Sequence, residues 1–576
     1  MAIEGDGVDM IAGDVEYDDV ASEDWSIKDE AARDYVETAT STVASLVRST
    51  LGPSGMEKLI ATQDPQGRPE IVQTTDAEQI LAAIERGDGF NHPVAALFID
   101  AIDSMQRGLG DGTTTAMILT AELIERGVDL AEEGVHPGTI IVGYAMALNR
   151  AGEVLDALAT SIAGEDHDRI ATVAATTMTA DLDPAVRAEY AEAVADAIER
   201  LADHTNSGFL DTDTVKVLAG RGEGTGLREG LVVRRFPTAL EESEESVSEF
   251  DWSFDFPEPT EDVRLVMVER EIDFEESATS FGGEGWDTGV LLDTADRVES
   301  YRTGLEDRVA QTAASLKAHD VDAIVSQERV KDTIKQLFER EGLVVLDNVT
   351  YPKADIHRLA TDTGGAVLGH LDEVDDDAVG VANTVYERRV GDEKWTFFVG
   401  SDGPASTIIL DNPLETDSDR HVRIVEDAVE TASMAVMDGQ VLPGAGAPAM
   451  AVASALRDYA TTVPDREQLA IEAFAEAVEQ IPYVLVENAG LDPVETLIRL
   501  RNAHADGTAE EPRSLGVNLS SGEPMDSVDA DVLEPRRVFS QALETAYAAT
   551  EQLLTVDAVL FPGVDFDHWE PALERE

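Results

Sequence analysis

The spacing of hydrophobic and polar positions changes character twice along this chain. In "ARDYVETATSTVASLVRST" the apolar residues Tyr35, Val36, Ala39, Val43 and Val47 recur at helical spacing, which predicts an amphipathic helix. "LGPSGMEKLI" then breaks the pattern with Gly52, Pro53 and Gly55. Further on, a helix places Ala116, Leu119, Leu123 and Leu130 on one face, and Met117, Ile118 and Ile124 make it apolar nearly all round. A helix of that kind is buried centrally. "PAVRAEYAEAVADAIERLA" predicts another helix and "TVKVLAGRG" a strand.

From about residue 227 to 380 the texture differs. Short apolar runs ("VRLVMVE", "DAIVS", "LVVLD") alternate with helical stretches ("RVESYRTGLEDRVAQTAASLKAHD", "RVKDTIKQLFERE"), which predicts a layered α/β domain. Two pieces read as protruding loops: an acidic stretch at about 237–262 carrying Phe250, Trp252, Phe254 and Phe256, and the Gly-rich "SATSFGGEGWDTG". "VYERRVGDEKWTFFVG" follows as a hairpin-like pair, and then helices return. "SLGVNLSSGEPMD" predicts a hairpin around Ser521 and Gly522, and "VDAVLFPGV" a terminal strand. Helical regions at both ends therefore bracket an α/β middle. The simplest architecture is a discontinuous helical domain with the α/β domain inserted through a connector. No repeat of solenoid period is present.

Charge changes this picture more than composition does. Hydrophobic residues make up 43% of the 576, ordinary for a chain with a real core, but the formal net charge is −75. The acids are spread along the whole length, so the reading is a folded protein with a carboxylate-covered surface rather than a disordered one. Such a surface repels itself until salt screens it, the Debye length falling to about 3 Å at 1 M. Together with the excess of Arg over Lys, this points to a very salty cytoplasm. The same charge opposes nonspecific nucleic-acid binding. There is no Cys, which removes disulfides, thiolate nucleophiles and Cys-ligated zinc, and the ten His form no metal-binding pattern. The acidic N-terminus is neither a signal nor a transit peptide, and no apolar run reaches the 18 or so residues of a membrane span. A soluble, cytoplasmic protein is expected.

"GDGTTTAMILTAELIERG", from Gly110 to Gly127, carries the first chemistry. Glycines let backbone N–H groups approach phosphate, and a helix N-terminus adds partial positive charge. The Thr hydroxyls of Thr113, Thr114 and Thr115 can cap the helix or bond phosphate oxygens. The stretch is equally compatible with a plain capped loop–helix junction, and it is not a Walker A sequence because no Lys follows the glycines. Asp111 would repel a triphosphate unless a divalent cation stood between them, so it reads as a magnesium ligand if MgATP is bound.

Eight segments in order, "TLGPSGMEKLI", "TTDAEQIL", "HPVAALFIDAI", "LGDGTTTAMILTAELI", "VHPGTIIVGY", "VEDAVETASMAVMDGQVLPGAGAP", "VLVENAGLDPVETLIRLRNAH" and "LGVNLSSGEPMDSVDADVLEPRRV", closely resemble the group II chaperonins, the archaeal thermosome and its eukaryotic cytosolic relatives. The resemblance spans about residues 28–562. It implies a multidomain α+β and α/β fold. An acidic disordered leader (1–27) would precede an equatorial ATPase domain (28–149 and 415–566). An intermediate domain (150–226 and 380–414) would connect it to an apical substrate-binding domain (227–379) with a lid at about 272–304, and a tail (567–576) would follow.

The resemblance also implies a site that holds ATP and Mg²⁺. Thr50, Leu51, Gly52 and Pro53 match the loop that lies against the phosphates. Asp111 matches the magnesium aspartate, and Gly112, Thr113, Thr114 and Thr115 the phosphate-binding turn. Asp76 and Asp427 match the acids that position the attacking water, a role that suits carboxylates because phosphoryl transfer rests on positioning and charge neutralisation. Gly444 and Ala445 match the Gly-rich nucleotide loop, and Gly516 and Glu534 positions near adenine and ribose. Implied partners are unfolded polypeptides and identical or paralogous subunits in a double ring, with neither nucleic acid nor membrane.

Several positions depart from the family pattern. Ser54 replaces the usual Lys of "LGPKG", Thr75 and Ala77 flank Asp76 where "NDG" is usual, and Ala445 replaces the middle of three glycines. Asp181 or a neighbour stands where a nucleotide-sensing Lys is usual. Ala77 and Ala445 put a methyl where the backbone would approach ligand or adopt φ > 0. In the lid, Phe281, Trp286, Leu291 and Leu292 either meet clients and neighbouring lids or pack locally. These departures leave two functions in view: an ATP-driven folding machine, and a structural or modulatory subunit of a mixed ring with weak ATPase. An unrelated magnesium-dependent kinase would explain "GDGTTT" but not the other seven segments.

Overall fold

The structure is a computed structural model that describes residues 26–28, 30–63, 69–75, 77–86, 94–96, 98–99, 102, 112–178, 182–205, 208–220, 222–235, 254–272, 274, 295–349, 355–390, 393–399, 403–411, 418–508 and 510–560. The chain divides into two compact units, Met1–Arg187 with Glu430–Glu576, and Ala188–Val429.

The first unit is helical. Thr113–Glu132 runs through its centre because its first three turns are apolar nearly all round: Ala116, Met117, Ile118, Leu119, Leu123 and Ile124 are each at most 1% exposed, and only its later part shows Glu125 and Asp129 to water. Around it pack Glu30–Arg48, Pro137–Leu158, Ala447–Ala460, Glu467–Val478 and Arg536–Leu554, which bury their apolar faces in one continuous core. Tyr144, inside that core, donates its hydroxyl to the Leu123 carbonyl at 2.9 Å, so its polar end is satisfied. Small sheets tie the helices together at their ends. Gln440–Pro443 lies between Leu533–Pro535 and Thr160–Ser161, antiparallel to both. Lys58–Gln63 and Pro69–Thr74 form a hairpin, and Leu515–Val517 pairs with Pro524–Asp526 around the expected turn. Ser26–Lys28 pairs antiparallel with Ala558–Leu560, so the last residues of the expected leader stand in a strand.

The second unit is α/β. Thr260–Val268 is central in a seven-stranded sheet, parallel to Ala323–Ser326 and antiparallel to Gly380–Val390. Strand alternation sends Val266 and Val268 to one face, under the helices Ala295–Ala318 and Asp332–Arg340. Val263, Leu265 and Met267 go to the other, under Asp355–Thr363. A strand covered on both faces reads as a continuous apolar run, which is how "VRLVMVE" reads. Gly380–Val390 and Glu393–Val399 make the expected hairpin within this same sheet.

The acidic-aromatic stretch does not simply protrude. Its residues 236–253 lie outside the described residues, but Phe256 is buried in the core beneath the sheet. The Asp255 and Phe256 amides donate to the Glu387 carboxylate, and Phe254 faces the Lys394 ammonium at 5.5 Å. Burial of one large ring outweighs solvation of a short acidic segment. Of the expected lid, residues 295–304 open the helix Ala295–Ala318; Phe281, Trp286, Leu291 and Leu292 lie outside the described residues.

A three-stranded sheet, Val215–Gly220 with Ser406–Asp411 and Gly226–Glu229, completes the second unit. Lys216 points from it into the core, donating to the Val232 carbonyl at 2.9 Å and to the buried carboxylate of Asp355, which Arg358 also contacts. Burial pushes the Lys216 ammonium down to about 8, against the pull of Asp355. Removing one partner of such a pair strands the other charge. Asp355→Ala should therefore lower stability by about 3–5 kcal/mol in denaturant titration. A loss no larger than that of a surface substitution would show that Lys216 is held by other means.

In the first unit, Glu37 shows what the acidic surface costs. Burial, then repulsion from Glu125, Asp129, Asp34 and Glu132, pushes its carboxyl up to about 7. The folded value lies above the ordinary 4.5, so the ionised group opposes folding fully above pH 7 and ceases to do so as the pH falls towards 4.5. Glu37→Gln should thus raise the melting temperature at pH 8, less so near pH 5, and less in molar KCl than at low salt. Equal melting temperatures at pH 8 and low salt would contradict this.

Candidate functional site

Two helices of the first unit begin in the same unusual way. Thr113–Glu132 is preceded by Gly112 at φ 93°, and Ala447–Ala460 by Gly446 at φ 76°, both left-handed. Neither N-cap has a side chain to cover the first-turn N–H groups, and neither first turn contains an acid. In a chain with 117 Asp and Glu, two helix first turns thus carry no carboxylate of their own against the partial positive charge of their N-termini.

The segments around these N-termini are joined by contact. Gly516 backs onto the 444–446 turn so closely that a Cβ would lie 2.5 Å from Ser527 Oγ and 2.8 Å from the carbonyl oxygens of Gly444 and Ala445. A Cβ at Gly444 would stand 3.7 Å from Glu534 Oε2. Glu534 lies opposite Leu442 in the small sheet, and four residues on, Val538 packs against Gly112. Leu485 packs against both Gly446 and Gly52. The turn holding Gly52 is tight: Gly55 N–H donates to the Gly52 carbonyl at 2.9 Å, Met56 N–H to that of Ser49 at 2.7 Å, and the Thr50 hydroxyl to that of Val47 at 2.8 Å.

Contact thus joins Gly444 and Ala445 with Gly516, Gly444 with Glu534, and Gly52 with Gly446 through Leu485, while Gly112, at the head of Thr113, Thr114 and Thr115, meets Val538; Thr50, Leu51 and Pro53 belong to the Gly52 turn. Thr113 is buried, Thr114 and Thr115 half-buried. Asp76, Asp111 and Asp181 lie outside the described residues. Asp427 is exposed on the helix Ser418–Asp438 and belongs to the second unit, where His421 of the same helix bonds the Tyr190 hydroxyl at 2.8 Å.

Of the departures, Ala77 is a buried first residue of the helix Ala77–Arg86. Ala445 does adopt a left-handed backbone, φ 57°. Its carbonyl accepts Val517 N–H at 3.0 Å, and the adjacent Gly444 carbonyl accepts Ser527 Oγ–H at 2.9 Å, while Gly444 N–H donates to Val532 at 2.8 Å. These bonds hold the turn against the steric cost of its methyl.

Glu479 fixes the helix that carries this turn. It stands between Glu467–Val478 and Gln480–Asn488, 2% exposed, and accepts from Arg457 Nη1 at 2.6 Å and Arg501 Nε at 3.0 Å. Burial alone would raise its pKa, but the hydrogen bonds from Arg501 and Arg457 outweigh it and hold the carboxyl below its ordinary value. Arg457 lies in the last turn of Ala447–Ala460, the helix that Gly446 starts.

The sequence pointed to Gly446 only as the last of the altered glycine triplet, and did not single out Glu479, Leu485 or Asn488. Gly446 had a signal, Gly before Ala-Pro at a helix start. The other three lie in or beside "VLVENAGLDPVETL", where only contacts reveal what they touch.

Residues 43–563 match the TCP-1/cpn60 chaperonin family. A thermosome subunit of Methanopyrus kandleri is 32% identical over 524 residues, 91% of this chain and 90% of the relative. Thermosome subunit 1 of Haloferax volcanii is 32% identical over 530 residues, covering 91% and 88%. Thermosome subunit alpha of Methanothermobacter thermautotrophicus is 31% identical over 519 residues, covering 90% and 89%. The chain belongs to the TCP-1/cpn60 chaperonins, and within them to group II.

The strain at residue 445 has a measurable consequence. A non-Gly residue in the left-handed region costs about 1–2 kcal/mol, while Gly loses roughly 0.4–1 kcal/mol through the freer unfolded chain. Ala445→Gly should therefore stabilise the first unit by about 0.5–1 kcal/mol in a denaturant titration. Destabilisation would mean that the Ala445 methyl makes packing contacts worth more than the strain.

Proposed function

We propose that this chain is an ATP-dependent chaperonin subunit. It binds MgATP in an equatorial domain of residues 28–149 and 415–566, and hydrolysis drives lid closure over unfolded polypeptide in a double-ring cavity. The observation that supports the reading is a pair of glycine-started helices whose first turns hold no acid, one of them, at Gly446, sharing Leu485 with Gly52 of the Thr50–Pro53 turn. This is an arrangement suited to phosphates. Glu534, beside Gly444, suits the ribose hydroxyls, which donate to a carboxylate.

Magnesium, when bound, would neutralise charge on the phosphates, and Asp111 is the residue we assign to hold it. Asp76 and Asp427 orient the attacking water. Gly112, Thr113, Thr114 and Thr115 receive phosphate oxygens through backbone and hydroxyl donors. Residues 150–226 and 380–414 make the intermediate domain, and 227–379 the apical domain that binds clients. Its partners are identical or paralogous subunits, its compartment is the cytoplasm, and its net charge of −75 suits it to molar salt. Among the described residues no helix is long and apolar enough to cross a membrane.

Steady-state ATPase of the purified chain with Mg²⁺ in about 2–3 M KCl, a range that screens its charge, tests the reading. Turnover is expected. Asp76→Ala should abolish it, and Asp427→Ala should keep nucleotide binding while slowing hydrolysis by roughly a hundredfold or more. An assembled wild-type ring that hydrolyses no ATP would point instead to a structural or modulatory subunit, and unchanged turnover in Asp427→Ala would remove that residue from the mechanism.

A further inference from the structure

The helix Gln480–Asn488 touches two turns of the proposed nucleotide site, Thr50–Pro53 and 444–446. At its far end, Asn488 Nδ2 donates to the carbonyl oxygens of Arg48, at 3.1 Å, and Leu51, at 2.9 Å. These oxygens lie where the helix Glu30–Arg48 ends and the Thr50–Pro53 turn begins. Helix-end carbonyls have no partner within their helix. A carboxamide is suited to both at once, because its nitrogen carries two protons.

The rest of the helix works in the same direction. Gln480 and Glu487 flank the Arg48 guanidinium, at 3.3 Å and 3.6 Å. Leu485 fills the space that a Cβ at Gly52 would take, 2.3 Å from its Cδ2, and Leu485 and Pro482 both pack against Gly446. Glu479, just before the helix, is ion-paired to Arg457 at the other end of the helix that Gly446 starts. One nine-residue element therefore sets where both turns stand.

We infer that Gln480–Asn488 is a brace that fixes the two nucleotide turns relative to each other, and that Asn488 is the positioning residue that holds the Thr50–Pro53 turn ready for phosphate. The inference rests on the nucleotide reading above. Asn488 touches only backbone oxygens of the turn and acts through them. Its loss should weaken nucleotide binding in ground and transition states alike, raising KM with little change in kcat.

The test is Asn488→Asp, which keeps the shape, removes both donors and sets a charge against two carbonyl oxygens. MgADP affinity is measured by calorimetry on the full-length assembled protein in molar KCl, alongside ATPase KM and kcat. Affinity should fall at least about tenfold, with KM rising in parallel. Asp355→Ala, destabilised in the other unit, should bind as wild type does. Wild-type affinity in Asn488→Asp, even with a lower melting temperature, would overturn the inference. Should that variant not fold, Leu485→Ala loosens the brace on its other side and must show the same loss; wild-type affinity there overturns the inference equally. No MgADP binding by the wild type would instead remove the nucleotide reading, and this inference with it.

Discussion

A single buried carboxylate holds the first unit's working end together. Glu479 stands where one helix ends and the next begins, gripped by Arg457 and Arg501 from two further helices. The pairs sit in the last turns of their own helices, where positive charge also answers the helix dipole. Breaking a pair of this kind leaves a charge stranded in the interior, so the joint is rigid by default. Gly446, Gly52 and the turn at Arg48 are each positioned by side chains within nine residues of it.

Around that joint, what is missing matters as much as what is present. The chain carries 117 acids, yet the first turns of Thr113–Glu132 and Ala447–Ala460 carry none. Elsewhere, burial and then the repulsion of neighbouring carboxylates push an acid up, as at Glu37. A protein this negative can attract a polyanion only where local donors outweigh the overall field, and salt that shortens the field's reach helps that local term prevail. The strained turn at Ala445 sits at the same place, held by hydrogen bonds from Val517 and Ser527 rather than by a favourable backbone of its own.

Much of the fold was legible because it rests on periodicity. The helix at 113–132, apolar nearly all round in its first turns, had to be central, and the strand at 260–268 had to be covered on both faces. Hairpins appeared where their turn residues stood. Phe256 was less legible, because an aromatic in an acidic run looks solvated until a core is found beneath it. Thr50, Gly52, Gly112, Gly444, Gly516 and Glu534 stand as site candidates only through family resemblance, since spacing alone could not separate them from ordinary turn residues and surface acids. Asn488 and Leu485 were not legible at all: their significance lies in which backbone atoms they meet across more than 400 residues of chain.

We propose that the turns at 50–53, 112–115 and 444–446 form one phosphate site. A cryo-electron microscopy structure of the assembled protein with MgADP and a phosphate mimic, in molar KCl, addresses it most directly. Phosphate density against Gly52, the first turn of Thr113–Glu132 and the 444–446 turn, with the ribose beside Glu534, is the predicted result. Nucleotide bound elsewhere, or these turns collapsed on one another in the saturated complex, would contradict it.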